Sequence, residues 1–310
     1  MTEKAKALII TVNFRQDECT RRFLNSAAKM DGFAQCYFLI VDNNSSDDSL
    51  SNLRSASAGF ANVKLLGSRH NEGYFGAARW ALRRYLEDHS APDWVVVCNN
   101  DIVFDDPKFL SQLLERDPDA AGVVAPTIIS GVTGYDENPS IRCRPSQIRM
   151  WRYRFWLTNF YLMWFKQWLS PVIRKIRYKF LGWTAASGKS TRSAVYAPSG
   201  AFLIFGSRFF EAGGFIDDGA FLYAEEFRVA EMCRQLRLPV LHDPQLRVWH
   251  QGSQSTGRLL TRSVFLHQRD SFRYALTRYK SSYPELGPTR QRVDTAIPKI
   301  EPSPAGDRIR

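Results

Sequence analysis

The sequence has no run of roughly 18 uninterrupted apolar residues, so no helix of it is expected to span a membrane. It has few cysteines: Cys19, Cys36, Cys98, Cys143 and Cys233 are scattered and none falls in Cys-x-x-Cys spacing. That argues against both a metal knuckle and a disulfide framework and makes a reducing compartment the default. The apolar run Ala7–Val12 is too short for a secretory h-region, so no signal peptide is expected and the chain is assigned to the cytoplasm. Acid is missing over a long interval, with no Asp or Glu between Asn138 and Phe210. No internal repeat is visible.

What is present suffices for a large core. Apolar residues make up 44% and aromatic residues 13% of the 310-residue chain, which excludes global disorder. The net charge of +11 points to an acidic partner such as a phosphate-rich ligand, an anionic lipid or nucleic acid. Leu8–Phe14, Cys36–Val41, Val63–Leu66 and Trp94–Cys98 are β-rich runs without alternation, as in parallel strands buried on both faces. Helical stretches are expected over Glu18–Lys29 and Gly76–Glu87 and after Ser46 or Asp47. Strands alternating with helices predict an α/β fold with a mostly parallel sheet covered on both faces. Ligands of such sheets bind beyond the carboxyl ends of the strands, and Asp42, Asn71 and Asp101 all lie there.

Each cluster has a chemical and an ordinary reading. In Asn99-Asn100-Asp101 the Asp can ligate a hard cation such as Mg²⁺ or Mn²⁺ and Asn99 can bind sugar or ribose hydroxyls; an Asx turn ending a strand is equally natural. Asp42 can accept hydrogen bonds from a base or ribose, or cap the next helix. Glu225-Glu226 follows an aromatic run and opens a helix through Arg234, which suits a desolvated general base or simply a helix dipole. His250 ends the strand-like run Leu246–Trp249 and can ligate metal, touch a diphosphate, or be structural.

In order and spacing these blocks resemble the family 2 glycosyltransferases, which have the GT-A fold, over Ala7 to Tyr279 apart from a basic insert. The likeness is to the bacterial rhamnosyltransferase-like branch of cell-surface polysaccharide synthesis. The first strand with Asn13-Phe14, the block Val41 to Asp47, the block Asn71 to Ala78, Asn99-Asn100-Asp101, Gly200 to Leu203, Gly213 to Asp217, Glu225-Glu226, Pro244 and His250 carry it. The resemblance implies a GT-A domain over residues 1–287. It implies a nucleotide-sugar site with Thr11, Asn13, Asp42, Asn71, Gly73, Asn99 and Asn100, a Mg²⁺ or Mn²⁺ held by Asp101 and His250, and Glu226 as base with Glu225 as the other candidate. The implied reaction is inverting transfer from a nucleoside-diphosphate sugar (dTDP-rhamnose or a UDP-sugar) to a saccharide or lipid-linked saccharide. Asn99 stands where the family has the first metal-motif Asp, and Glu226 where it has Asp. Arg228 and Met232 replace a common Asp and Arg, and a pairing of Arg228 with Glu231 is expected in their place.

Residues 138–196 are expected to form a basic, aromatic helical insert. Within it Trp151, Trp156, Trp164, Trp168 and Trp183 interleave with Arg152, Arg154, Lys166, Arg174, Lys175, Arg177 and Lys179. The stretch 142–192 suits an anionic membrane surface, making the protein peripheral on the inner face of the plasma membrane. The other readings are a solvated basic helix pair and binding of single-stranded nucleic acid, and against the last no RNA- or DNA-binding motif appears. Residues 288–310 are expected to be a disordered tail. Two alternatives stay open: a non-catalytic relative that binds lipid or polysaccharide, and a nucleotidyltransferase. Asn13-Phe14-Arg15-Gln16-Asp17 stands where the latter usually has a Gly-rich basic loop.

Overall fold

The structure is a computed structural model that describes residues 5–45, 47–169, 191–252 and 260–280. Ser46, the later part of the basic insert with Trp183, and the expected tail lie outside the described residues. In chain order the elements are β1 (Ala7–Asn13), α1 (Asp17–Ala27), β2 (Cys36–Asp42), α2 (Asp47–Ser57), β3 (Val63–Gly67), α3 (Gly73–Asp88), β4 (Trp94–Asn99), β5 (Ile102–Val103), α4 (Phe109–Leu114), β6 (Val123–Ser130) and α5 (Gln147–Trp156). There follow a helical stretch α6 (160–169), β7 (Ser193–Val195), β8 (Phe202–Gly206), α7 (Ser207–Glu211), α8 (Glu225–Gln235), β9 (Val240–His250) and α9 (Arg262–Lys280).

Among the described residues the strands form one nine-stranded sheet in the order β3-β2-β1-β4-β8-β6-β9-β5, with β7 paired to β9. β3, β2, β1 and β4 are parallel neighbours. Their unbroken apolar runs follow from burial on both faces. In β1, Ala7 and Ile9 enter the core beneath α1 and α4, while Leu8 and Ile10 enter the core beneath α3 and α8. β2 and β4 divide in the same way, Phe38 and Val96 to the first core and Leu39 and Val97 to the second. Each such side chain contributes about 1.5–3 kcal/mol of burial, so the strands are held from both sides and their carboxyl ends are fixed in register.

Beyond β4 the sheet is mixed, and this positions the site. β8 runs antiparallel to β4, with Cys98 opposite Phe202, so the start of β8 abuts the carboxyl end of β4. β9 runs parallel to β6 and ends with His250 opposite Ser130. The short β5, directly after Asn99-Asn100-Asp101, pairs Ile102 with His250. The last residue of a strand far along the chain is thereby delivered to the β4 turn. Of the described residues of the expected helical insert, those of α5 and α6 are helical, whereas 138–146 are not and Ser193–Val195 form the strand β7. α5 and α6 pack through Met150, Leu157 and Met163 against α8 and α9.

Candidate active site

Asn13, at the carboxyl end of β1, is wholly buried. Its amide nitrogen donates to Asp42 Oδ1 at 2.8 Å, Ser49 Oγ at 3.1 Å and Ser45 Oγ at 3.2 Å. Its amide oxygen accepts from Thr20 Oγ1 at 2.9 Å and Asn100 Nδ2 at 3.3 Å. One side chain thus ties together the ends of β1 and β2, the first turns of α1 and α2 and the β4 turn. Asp42 Oδ2 also accepts from the Ser45 backbone N–H at 3.1 Å, a loop group ahead of α2 rather than one of the helix's own N–H groups; its oxygens have lone pairs to spare for a ligand. The Asn100 amide nitrogen points inward, donating to Gln16 O and Thr20 Oγ1. Thr11 is buried within β1, one alternation behind Asn13.

A second cluster links β2 to α3. Asn43 Nδ2 donates to Asn71 Oδ1 at 2.8 Å and to Gly73 O at 3.1 Å, while Asn43 Oδ1 accepts from the Glu72 N–H at 2.9 Å. Gly73 has φ of +73°, and a Cβ there would lie 2.2 Å from Phe221 O. Only glycine fits, for both conformation and space. Tyr74, next in line, donates its N–H to Phe221 O and its hydroxyl to Gly200 O at 3.2 Å.

The β4 turn carries the third cluster. His250 Nε2 lies 3.2 Å from Asp101 Oδ1 and 3.4 Å from Asn99 Nδ2, and its Nδ1 lies 2.7 Å from Glu137 Oε2. Burial disfavours the imidazolium, but the hydrogen bonds and charges of Asp101 and Glu137 outweigh it and raise the His250 pKa to about 10. Among the described residues no three His, Cys, Asp or Glu side chains are grouped to hold a metal. Once an incoming cation displaces the Nε2 proton, His250 and Asp101 are two adjacent donors, which fits a hard divalent cation that takes its remaining ligands from phosphate oxygens and water. Asn99 can add a neutral oxygen.

The fourth cluster opens α8. Tyr223 and Ala224 both have positive φ, 74° and 61°, a left-handed turn costing on the order of 1–3 kcal/mol per residue. It swings the first turn of α8 under Gly200, where a Cβ would lie 3.5 Å from Glu226 Oε2. Glu225 is buried and its pKa is pushed up to about 7, by desolvation first and by the neighbouring Glu226 charge second, with Arg228 opposing. Glu226 is partly exposed and is also raised by burial. The expected Arg228–Glu231 pair does not form. Arg228 lies fully buried between the rings of Phe75 and Tyr274, 3.7 Å from Glu225 Oε1. Glu231 is instead held by Arg144, by Arg234 and by the Tyr196 hydroxyl. The fork of Arg144 offers Glu231 two hydrogen bonds at 3.0 and 3.2 Å, and the aromatic slot draws Arg228 the other way.

The clusters converge at Gly200-Ala201. Ala201 O accepts from the Asn99 N–H at 2.9 Å, Gly200 O accepts from Tyr74, and Gly200 faces Glu226. The buried Tyr74 phenol has its pKa raised well above the ordinary value by desolvation, with Cys98, Glu225 and Asp101 adding negative charge around it.

The model of the family described as "Glycosyl transferase family 2" matches residues 8–178, more than half of the chain. The chain belongs to glycosyl transferase family 2. Among the relatives of this family 2 chain is the N-acetylglucosaminyl-diphospho-decaprenol L-rhamnosyltransferase of Mycobacterium tuberculosis, 27% identical over 255 residues, 78% of this chain and 75% of the relative. Two solved structures share its fold. One is GalNAc-T7 with UDP, GalNAc and Mn²⁺, with a TM-score of 0.56, 13% identity and coverage of 88% of this chain and 48% of that one. The other is S. aureus TarS 1-349 in complex with UDP-GlcNAc, with a TM-score of 0.51, 15% identity and coverage of 81% and 59%. The chain spans about half to three fifths of the length of these structures, and at such identities the likeness establishes the GT-A fold.

Three contacts in these clusters were not read from the sequence: Glu137 behind His250, Tyr74 on Gly200, and Arg228 beside Glu225. Glu137 did carry a signal, since it is the last acid before the acid-free interval. Asn13→Ala removes the hub and leaves Asp42, Thr20 and Asn100 short of partners, at about 1–3 kcal/mol per orphaned group. We expect a loss of about 3 kcal/mol in urea unfolding together with weakened dTDP or UDP binding. A loss below about 1 kcal/mol with unchanged nucleotide affinity would show that the hub does not hold this edge.

Proposed function

We propose that the protein is an inverting, metal-dependent glycosyltransferase that moves a sugar from a nucleoside-diphosphate sugar, dTDP-rhamnose or a UDP-sugar, to a saccharide or lipid-linked saccharide. The observation that carries this reading is the Gly200-Ala201 segment. Its backbone holds Asn99, beside the Asp101–His250 pair, on one side and faces Glu226 on the other. A leaving-group site and a general base within one residue of each other is what a single displacement at an anomeric carbon requires. The relative's activity on a diphospho-decaprenol-linked sugar and the Mn²⁺ and UDP of the GalNAc-T7 structure support the choice of acceptor, cation and donor class.

In this mechanism Asp42, Asn13 and Asn71 form the edge that orients the nucleoside. Glu226, less buried than Glu225, accepts the proton of the acceptor hydroxyl as its oxygen bonds to the anomeric carbon. The bond from that carbon to the diphosphate breaks, and the diphosphate leaves with the electron pair. Asp101 and His250 would hold a Mg²⁺ or Mn²⁺, which when bound would supply positive charge near the departing diphosphate. Glu225, held by Arg228, keeps a carboxyl beside the base. Tyr74 closes the floor at Gly200.

The base acts only as a carboxylate, and Glu225 and Glu226 both have raised pKa values. Activity should therefore climb with rising pH over a range above the ordinary glutamate one, because burial raises the Glu226 carboxyl. Glu226→Gln should lower kcat by about 10²–10⁴-fold with donor affinity and folding retained. Near-normal turnover in that variant would remove Glu226 from the role.

We infer further that the acceptor is met at an anionic membrane surface. No helix among the described residues is long and apolar enough to cross a membrane. Yet α5 and α6 bare Ile148 (75% exposed), Trp151 (66%) and Trp168 (61%), with Phe155, Trp164 and Phe165 also exposed, among arginines and lysines. Aromatic side chains bared beside basic ones suit the headgroup layer of a bilayer. The inner face of α5 packs on Ala224 and Phe227, flanking Glu225-Glu226, so a surface held there is close to the base. Co-sedimentation with vesicles containing phosphatidylglycerol should be strong at low salt and should fall when Trp151, Phe155, Trp164 and Trp168 are changed to Ser. A protein that stays in the supernatant at low salt contradicts this part of the reading.

A further inference from the structure

His250 is gripped from both sides. On the far side of the ring from Asp101, Glu137 Oε2 lies 2.7 Å from Nδ1. Glu137 is not on a loose loop. Its N–H donates to Ile128 O at 2.8 Å, and the side chain of Asp136 accepts the N–H groups of Ile128 and Asn138, folding residues 135–138 back on β6. The buried Asn138 donates to Pro126 O at 2.7 Å and accepts the Ser199 N–H at 2.6 Å. The Gly131 N–H donates to His250 O at 2.7 Å, closing the same corner from the other end.

An imidazole can offer its Nε2 lone pair to a cation only if Nδ1 carries the hydrogen. A carboxylate accepting that Nδ1–H fixes the tautomer and the ring plane and raises the basicity of Nε2. We propose that Glu137 is a positioning residue for the divalent cation, acting through His250. The inference rests on the metal-dependent reading of the Asp101–His250 pair. It also accounts for Asn99: that residue brings no charge to the site, and Glu137 supplies a negative charge one imidazole away.

The test needs no turnover. Mn²⁺ binding to the full chain is measured by the electron paramagnetic resonance of free Mn²⁺, with dTDP and, in parallel, UDP present. Glu137→Gln should weaken Mn²⁺ binding by about 10–100-fold while the melting temperature and the metal-free affinity for the nucleotide stay unchanged. His250→Ala should weaken it at least as much, and the Glu137→Gln/His250→Ala double variant should be no weaker than His250→Ala alone, because Glu137 acts only through the ring. Unchanged Mn²⁺ affinity in Glu137→Gln, or a double variant weaker than His250→Ala by the full single-variant factor, overturns the proposal while leaving the metal reading intact. Failure of the natural chain to bind Mn²⁺ with either nucleotide overturns both.

Discussion

The site depends on a buried amide at the end of the first strand. A parallel sheet ends in unpaired backbone and loops that would otherwise move independently. Asn13 joins two of those ends, two helix starts and the β4 turn through hydrogen bonds of 2.8 to 3.3 Å. An amide suits this place because it donates and accepts at once. In a dry site each group left unpaired costs far more than a surface contact gains. Asp42 and Asn100 are consequently fixed from behind, so Asp42 and the turn carrying Asp101 hold their places before any ligand arrives.

A second constraint is the delivery of His250. It comes from the last strand of the sheet, more than a hundred residues beyond the β4 turn, and reaches Asp101 because β5 pairs with β9 and β9 with β6. Charges gathered there are partly desolvated, and each needs a partner. Asp101 and Glu137 flank His250, and Arg228 sits by Glu225. The two sides differ in kind. One is an alternating row of carboxylate, imidazole and carboxylate; the other is a pair of carboxyls that burial keeps weakly acidic.

Much of the parallel half was legible in the sequence. β1, β2 and β4 are buried on both faces, so their apolar runs are continuous, and each predicted strand lies within a residue or so of the observed one. The second half was not. β9 contains Pro244, alternates buried with exposed residues and was visible only near Leu246–Trp249, while β5 is two residues long. The convergence of Asp42, Asn71 and Asp101 was legible because ligand sites of such sheets share one edge. Their partners were not: Glu137 meets His250, and Arg228 chooses Glu225 over Glu231, through tertiary contacts that helical spacing does not encode. Asn100 shows the converse. Its place in the motif suggested a ligand contact, but its amide serves the Asn13 hub.

The basic aromatic helices stand beside the α8 end of the site, and charge alone makes them a rival destination for a diphosphate. The central claim is that the donor lies on the carboxyl edge of β1, β2 and β4. A crystal structure of the chain with Mn²⁺ and dTDP or UDP tests it most directly. The account predicts the nucleoside against Asp42 and Asn71 and the diphosphate beside Asp101 and His250, with Glu226 left facing open space at Gly200. A diphosphate bound among the arginines of α5 and α6, with the Asp101–His250 pair untouched, would contradict it.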